Sequence, residues 1–172
     1  MAENKEVVVG LDADVGGAIS LKCNDGVTLE CPKNITHVSA LIKNTLDGDP
    51  ECKEIELMHL ASPIVKLVIS YMEYHSKVPA KVIKKPLVST NMKDIVDAWD
   101  AKFIEMDQTT MFQLLLAANY MDVKDLVLLI TAKIASLMKG KTPSLIRKTF
   151  NIREFTPEEK EAIGKEFTDL VE

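Results

Sequence analysis

Val123-Lys124-Asp125-Leu126-Val127-Leu128-Leu129-Ile130-Thr131-Ala132-Lys133-Ile134-Ala135-Ser136-Leu137-Met138 reads as a helix that is apolar almost all the way round. Val123, Leu126, Ile130 and Leu137 fall on one stripe; Val127, Ile134 and Met138 fall on another, with Thr131 between them. A helix patterned in this way is buried on two sides. Asp122 can cap its start, and Gly140 suits its C-terminal end. Only two short helices follow. Thr142-Pro143 opens one that reaches Phe150. Thr156-Pro157-Glu158-Glu159 opens the other, with a capping-box spacing and proline at the first helical position. That last helix carries Ala162, Ile163, Phe167, Leu170 and Val171 on its apolar side. Either these two helices fold back over the second stripe, or the stripe meets a partner protein. Each large apolar side chain covered there contributes about 1.5–3 kcal/mol, so leaving several bare is costly.

On the N-terminal side, Asp107 is placed to cap a helix over 108–120, in which Met111, Phe112, Leu115 and Leu116 are expected to be buried. Before it, residues 77–93 hold Lys77, Lys81, Lys84, Lys85 and Lys93, no acid, and Pro79 and Pro86. That composition predicts an extended, mobile linker. Earlier still the pattern changes to α+β. Ile19-Ser20-Leu21-Lys22-Cys23 and Val27-Thr28-Leu29-Glu30-Cys31 alternate apolar and polar about the turn Asn24-Asp25-Gly26, which predicts a β-hairpin. Asn34 can cap a helix over 35–46 whose apolar face is Val38, Leu41, Ile42 and Leu46. Glu54-Ile55-Glu56-Leu57 suits a short third strand. Ser62-Pro63 starts a largely apolar helix with Ile64, Val65, Leu67, Val68, Tyr71 and Met72.

The 172 residues are 47% hydrophobic and 27% charged, the balance of an ordinary globular chain. Such a length can bury roughly 70% of its unfolded surface. No apolar run approaches the ~18 residues of a membrane span. The start Met1-Ala2-Glu3-Asn4-Lys5-Glu6 does not resemble a secretory signal. A net charge of −5 argues against a nucleic-acid binder. That charge is the sum of unlike segments: an acidic stretch at 47–56, the basic linker, and an acidic end at 150–172 with seven acids against three bases. Cys23, Cys31 and Cys52 form no CxxC and fit a reduced intracellular protein with structural thiols. His37, His59 and His75 are too far apart for a metal set and are expected at the surface or an edge. Gly16-Gly17 and Asp25-Gly26 are turns, without the spacing of a phosphate loop. No catalytic constellation, cofactor site or small-molecule site emerges.

Trp99-Asp100-x-x-Phe103-Ile104, Asp107-Gln108, Leu115-Leu116-Ala117-Ala118-Asn119-Tyr120-Met121-Asp122-Val123-Lys124 and Met138-Lys139-Gly140-Lys141-Thr142-Pro143-x-x-Ile146-Arg147-Lys148-Thr149-Phe150-Asn151-Ile152 closely resemble the S-phase-kinase-associated adaptors of SCF ubiquitin ligases. Phe155-Thr156-Pro157-Glu158-Glu159 extends the resemblance; Ile19-x-Leu21, Asp25-Gly26 and Tyr74-His75 carry it more loosely into the N-terminal half. It covers roughly residues 18–167 and implies an α+β BTB/POZ domain with a C-terminal F-box-binding helical extension. On that reading 1–17 is a flexible tail, 18–76 the first part of the BTB/POZ domain, 77–98 the basic linker, 99–138 its helical remainder, and 139–172 the F-box-binding helices.

The resemblance implies a non-catalytic adaptor, cytoplasmic and nuclear, that links a cullin to F-box substrate receptors. Asn119 and Tyr120 match the cullin-docking pair. Phe112, Val127, Thr131, Ile134, Phe150 and Ile152 match F-box-facing positions. Pro143 matches a proline that protist members hydroxylate and glycosylate; its plain reading is a helix start. The chain departs from the family in its basic linker, where acids are usual, in Asp125, where glycine is usual, and in its end Phe167-Thr168-Asp169-Leu170-Val171-Glu172, which lacks a tryptophan-cysteine pair. Two alternatives stand beside the adaptor: a self-associating BTB/POZ scaffold, and an F-box-binding subunit of a non-ligase assembly such as a kinetochore complex. A weak homodimer of the unpartnered chain is compatible with the adaptor.

Overall fold

A computed structural model describes residues 17–166. They fall into two compact units that divide between Ser136 and Leu137.

The first unit begins with the hairpin, β1 (Ala18–Cys23) and β2 (Thr28–Pro32), paired antiparallel with Leu21 opposite Leu29. Gly26, at φ +78°, makes the turn that the other residue types of the hairpin would strain to make. β3 (Glu54–Leu57) joins the other edge of β1 in parallel, with Leu21 opposite Ile55, so the sheet order is β2-β1-β3. Ile19, Leu21, Leu29, Cys31 and Leu57 point to the covered face and are buried. Burial pushes the thiols up, Cys23 to about 11 and Cys31 to about 12, which keeps both protonated and unreactive.

The helix expected over 35–46 is divided. A 3-10 turn, Lys33–Val38, precedes α1 (Ala40–Gly48), and the cap is Ser39 rather than Asn34. Ser39 is fully buried and does two things at once. Its Oγ accepts from the Ile42 amide at 3.3 Å and donates to the Met121 carbonyl at 2.6 Å. Ala40 N and Leu41 N donate to the carbonyls of Asp122 and Met121, so the start of α1 is docked on the chain just past a later helix. Sequence reasoning could not prefer Ser39 over Asn34, because the carbonyl that takes the Ser39 hydroxyl proton lies 82 residues away.

α2 (Ser62–His75) is the apolar helix expected, with Val65, Val68, Tyr71 and Met72 buried. Its first turn is served from outside: the Asp25 carboxylate in the hairpin turn accepts from the amides of Val27 at 3.2 Å and Ser62 at 2.9 Å. Burial resists the charge on Asp25, but those hydrogen bonds prevail and hold its carboxyl below the ordinary value.

Residues 76–91 contain no helix or strand, as expected of the linker, yet the segment is tied down at both ends. His75 Nδ1 lies 2.8 Å from the Val78 carbonyl, and the Ser89 hydroxyl donates to Asp94 at 2.8 Å. His75 itself corrects a sequence expectation. Its side chain is 4% exposed, and Nε2 lies 2.9 Å from Asp100, equally buried, on α3 (Ala98–Phe103). Around this pair Trp99 stacks on Tyr74 with ring centroids 4.0 Å apart and on Phe103 at 5.0 Å, and Tyr71 lies 4.2 Å from the imidazole. A buried histidine needs a partner; here it comes from a helix 25 residues on, which spacing alone does not reveal.

α4 (Gln108–Tyr120) is capped by Asp107 as expected: its carboxylate accepts from the Thr110 amide at 3.0 Å and hydroxyl at 2.6 Å. α4 packs on α2. Asp122 turns the chain at φ +49°, and Val123 provides the first helical carbonyl of α5 (Lys124–Met138). Gly140, at φ +72°, ends that helix.

In the second unit α6 (Pro143–Thr149) starts on Thr142, whose Oγ1 accepts from Leu145 N. α7 (Pro157–Glu166) starts on a reciprocal capping box between Thr156 and Glu159. Phe167, Leu170 and Val171 lie outside the described residues.

Candidate functional site

α4 has two apolar faces. Met111, Leu114, Ala117 and Ala118 turn inward and are buried. Phe112, Leu116 and Tyr120 recur every fourth residue on the outer side and are 40%, 68% and 42% exposed. The expectation that Phe112 and Leu116 are buried is therefore corrected, and Leu115 is half-buried. The cause lies in the helix itself: with apolar residues on both sides, the pattern does not say which side faces in, and Ala117 and Ala118 lie on the buried side.

Asn119 and Tyr120 are both exposed at the C-terminal end of α4. The Tyr120 ring meets His59 edge-on, with centroids 6.3 Å apart and planes at 87°. His59 and Met58, the latter 67% exposed, form the turn after β3, which the Leu60 amide closes on Leu57 O. Tyr120 thus stands beside a second apolar element that sequence reasoning did not assign to this surface. The four-residue recurrence in α4 was a signal for Leu116; nothing in the sequence pointed to Met58.

On α5 most of the first stripe is core: Val123, Leu126 and Ile130 are fully buried, and Leu137 is half-buried. Of the second stripe, Val127 and Ile134 are half-buried, and Thr131 and Met138 are exposed. The Thr131 hydroxyl donates back to Val127 O at 2.8 Å and Leu128 O at 3.0 Å. That spends the polar group within the helix and leaves the methyl to join the apolar stripe. Leu128, assigned to neither stripe from the sequence, is exposed, and Leu129 is buried.

In the second unit Phe150 is half-buried at the end of α6 and Ile152 is exposed two residues on. Ile152, Arg147, Lys148 and Arg153 line an open groove of about 420 Å³. The Arg147 guanidinium stacks over Phe155 at 4.2 Å, and Asn151 takes the left-handed conformation at φ +53° that lets the chain turn between them. Pro143 is exposed at the first position of α6.

Arg153 grips Glu159 with two hydrogen bonds, at 2.6 and 2.7 Å. Those bonds, followed by the one from Thr156 N, hold the Glu159 carboxyl down at about 2. Because the folded value lies below the ordinary one, the stability it adds is present at neutral pH and is lost as pH falls from about 4.5 toward 2. Acid titration followed by residue-resolved NMR is expected to fray α7 in that window, and Glu159→Gln to remove the transition. An E159Q curve that follows the wild type would remove the capping box as the cause.

Among the described residues no group of three or more histidine, cysteine or acidic side chains is placed to hold a metal, and no helix is long and apolar enough to cross a membrane. What the surfaces offer is apolar area on α4, on α5 and around α6, set on rigid helices.

Two family models match the chain: the Skp1 family tetramerisation domain over residues 17–77 and the Skp1 family dimerisation domain over 124–169. An S-phase kinase-associated protein 1 homolog of Tetrahymena thermophila is 39% identical over 140 residues, covering 80% of this chain and 84% of the relative. SKP1-like protein 1A of Arabidopsis thaliana is 37% identical, covering 86% and 93%. An E3 ubiquitin ligase complex SCF subunit sconC of Arthroderma benhamiae is 37% identical, covering 86% and 92%.

Proposed function

The chain belongs to the Skp1 family, and from that premise we infer that it is an adaptor subunit of an SCF-type E3 ubiquitin ligase, joining a cullin to F-box proteins. The observation that carries this is the pairing of both family matches with an SCF subunit that is 37% identical over 86% of the chain. The fold is in keeping with it: the first unit is a small α+β domain, and the second is a pair of short capped helices.

Its role is to hold partners rather than to transform a substrate. We assign Asn119 and Tyr120 to cullin docking, supported by their exposure at the end of α4 beside the Met58–His59 turn. We assign Val127, Thr131, Ile134, Phe150 and Ile152 to F-box binding, supported by the apolar character of α5 and the open groove at α6. Phe112 is assigned with them, although its place on the stripe that ends at Tyr120 also suits a contact shared by both partners. Such an adaptor works in the cytoplasm and nucleus. Pro143 is placed where a modifying enzyme could reach it, and intact-mass analysis of the native protein reads this directly.

Affinity purification of the tagged chain followed by mass spectrometry tests the reading: a cullin and several F-box proteins are expected together. Recovery of F-box proteins without a cullin would move the chain to a non-ligase assembly. Self-association is the second reading, favoured by the descriptions of the two matching domains as tetramerisation and dimerisation domains. Light scattering separates the two, since a concentration-independent homotetramer overturns the adaptor and a weak dimer does not.

A further inference from the structure

Lys77, Lys81, Lys84, Lys85 and Lys93 are all exposed, and none of them enters an ion pair among the described residues. Five uncompensated cations in 17 residues without an acid make a positive surface on a chain whose net charge is −5. This loop does more than cross the surface. Lys81 and Lys85 lie at the rim of a cavity of about 180 Å³ whose walls are Val82, Ile83, Val96, Leu128 and Leu129. The cavity also reaches Tyr71, Asp100 and Asp125. The basic linker and Asp125 therefore meet at one place.

We propose that this loop and the cavity beneath it bind an acidic protein segment that carries one apolar anchor residue. Three observations set that chemistry. The volume is that of roughly six liquid waters, room for one leucine-sized side chain. The walls are aliphatic, so an anchor that displaces water there is favoured. Asp125 and the His75-paired Asp100 line the cavity as well, which disfavours a carboxylate inside it, while the exposed Lys81 and Lys85 attract carboxylates beside it. The pattern recognised is thus acid, apolar, acid, with charge setting the encounter and the anchor setting the residence time. A nucleic acid fits less well: residues 77–93 hold no aromatic ring on which a base could stack, and the same two aspartates oppose phosphate.

The test uses the full chain and a fluorescein-labelled peptide with four glutamates on each side of a leucine, followed by anisotropy at low and raised salt. Binding is expected to weaken at least tenfold in K81E/K85E, about tenfold when the peptide's leucine is replaced by alanine, and progressively with salt. Lys77→Glu, away from the rim, is expected to weaken it less than threefold. The proposal is overturned if K81E/K85E binds as the wild type does, if the leucine is dispensable, if K77E matches the double variant, or if a single-stranded DNA of equal charge binds as tightly. Far-UV circular dichroism checks that the variants are folded, and because all the substituted lysines are exposed, K81A/K85A is available as a milder second pair. Neither cullin nor F-box capture is read in this assay, so its failure leaves the adaptor role untouched and the converse also holds.

Discussion

Tyr120→Asp will weaken capture of the cullin by on the order of 100-fold and leave F-box binding within about threefold. Tyr120 is 42% exposed, so a large part of it is open to a partner in the free protein, and its ring is steadied by the edge-on approach to His59. Aromatic side chains presented in this way, rigid and half held by a neighbour, are typical anchors of protein interfaces, where truncation costs about 2–4 kcal/mol. A carboxylate in the same place adds a desolvation cost when the partner closes over it. Stability should barely change, because the buried face of α4 is built from Met111, Leu114, Ala117 and Ala118. Titration of the reconstituted cullin repeat and of an F-box peptide against both proteins gives the two numbers. Equal losses for both partners would mean that Tyr120 serves the fold or both interfaces; no loss of cullin would remove it from that site.

Asp100→Ala is expected to destabilise the first unit by about 3–5 kcal/mol, read as a shift in the urea midpoint. Both side chains of the His75–Asp100 pair are 4% exposed. His75 Nδ1 also lies 2.8 Å from the Val78 carbonyl, so its two ring nitrogens each face an acceptor. Deleting Asp100 leaves Nε2 within the ring cluster of Tyr71, Tyr74, Trp99 and Phe103 with no counterpart. Replacing both partners by leucine should recover part of the loss, since an apolar pair does not leave one polar group stranded. If D100A unfolds at the wild-type urea midpoint, the pair contributes nothing net and the stacked rings alone hold α2 to α3.

The sequence carried the elements whose cause is local. The hairpin follows from alternation about Asn24-Asp25-Gly26, α6 from Thr142-Pro143, and α7 from the Thr156–Glu159 box, all of them interactions within a few residues. It did not carry what is decided across the chain. Ser39 caps α1 because Met121 O is there to take its hydroxyl proton, and His75 is buried because Asp100 arrives from α3. The same limit applies to the binding surfaces. The two stripes of α5 were visible as periodicity; on α4 the recurrence of Phe112, Leu116 and Tyr120 was legible but its outward direction was not, because Met111, Leu114 and Leu115 compete with Phe112 and Leu116 for the inner side. The cavity under the linker is assembled from Tyr71, the linker, Val96, Asp100 and the start of α5, a combination that only the folded chain brings together.

The first amides of α1 are pinned by carbonyls one and two residues beyond Tyr120. Ala40 N and Leu41 N can therefore exchange with deuterated solvent only when that corner opens. A ligand clamped on Tyr120 would damp the opening and slow isotope uptake some eighty residues earlier in the chain. These two amides act as a strain gauge for the end of α4, readable without labelling or mutating the docking surface itself.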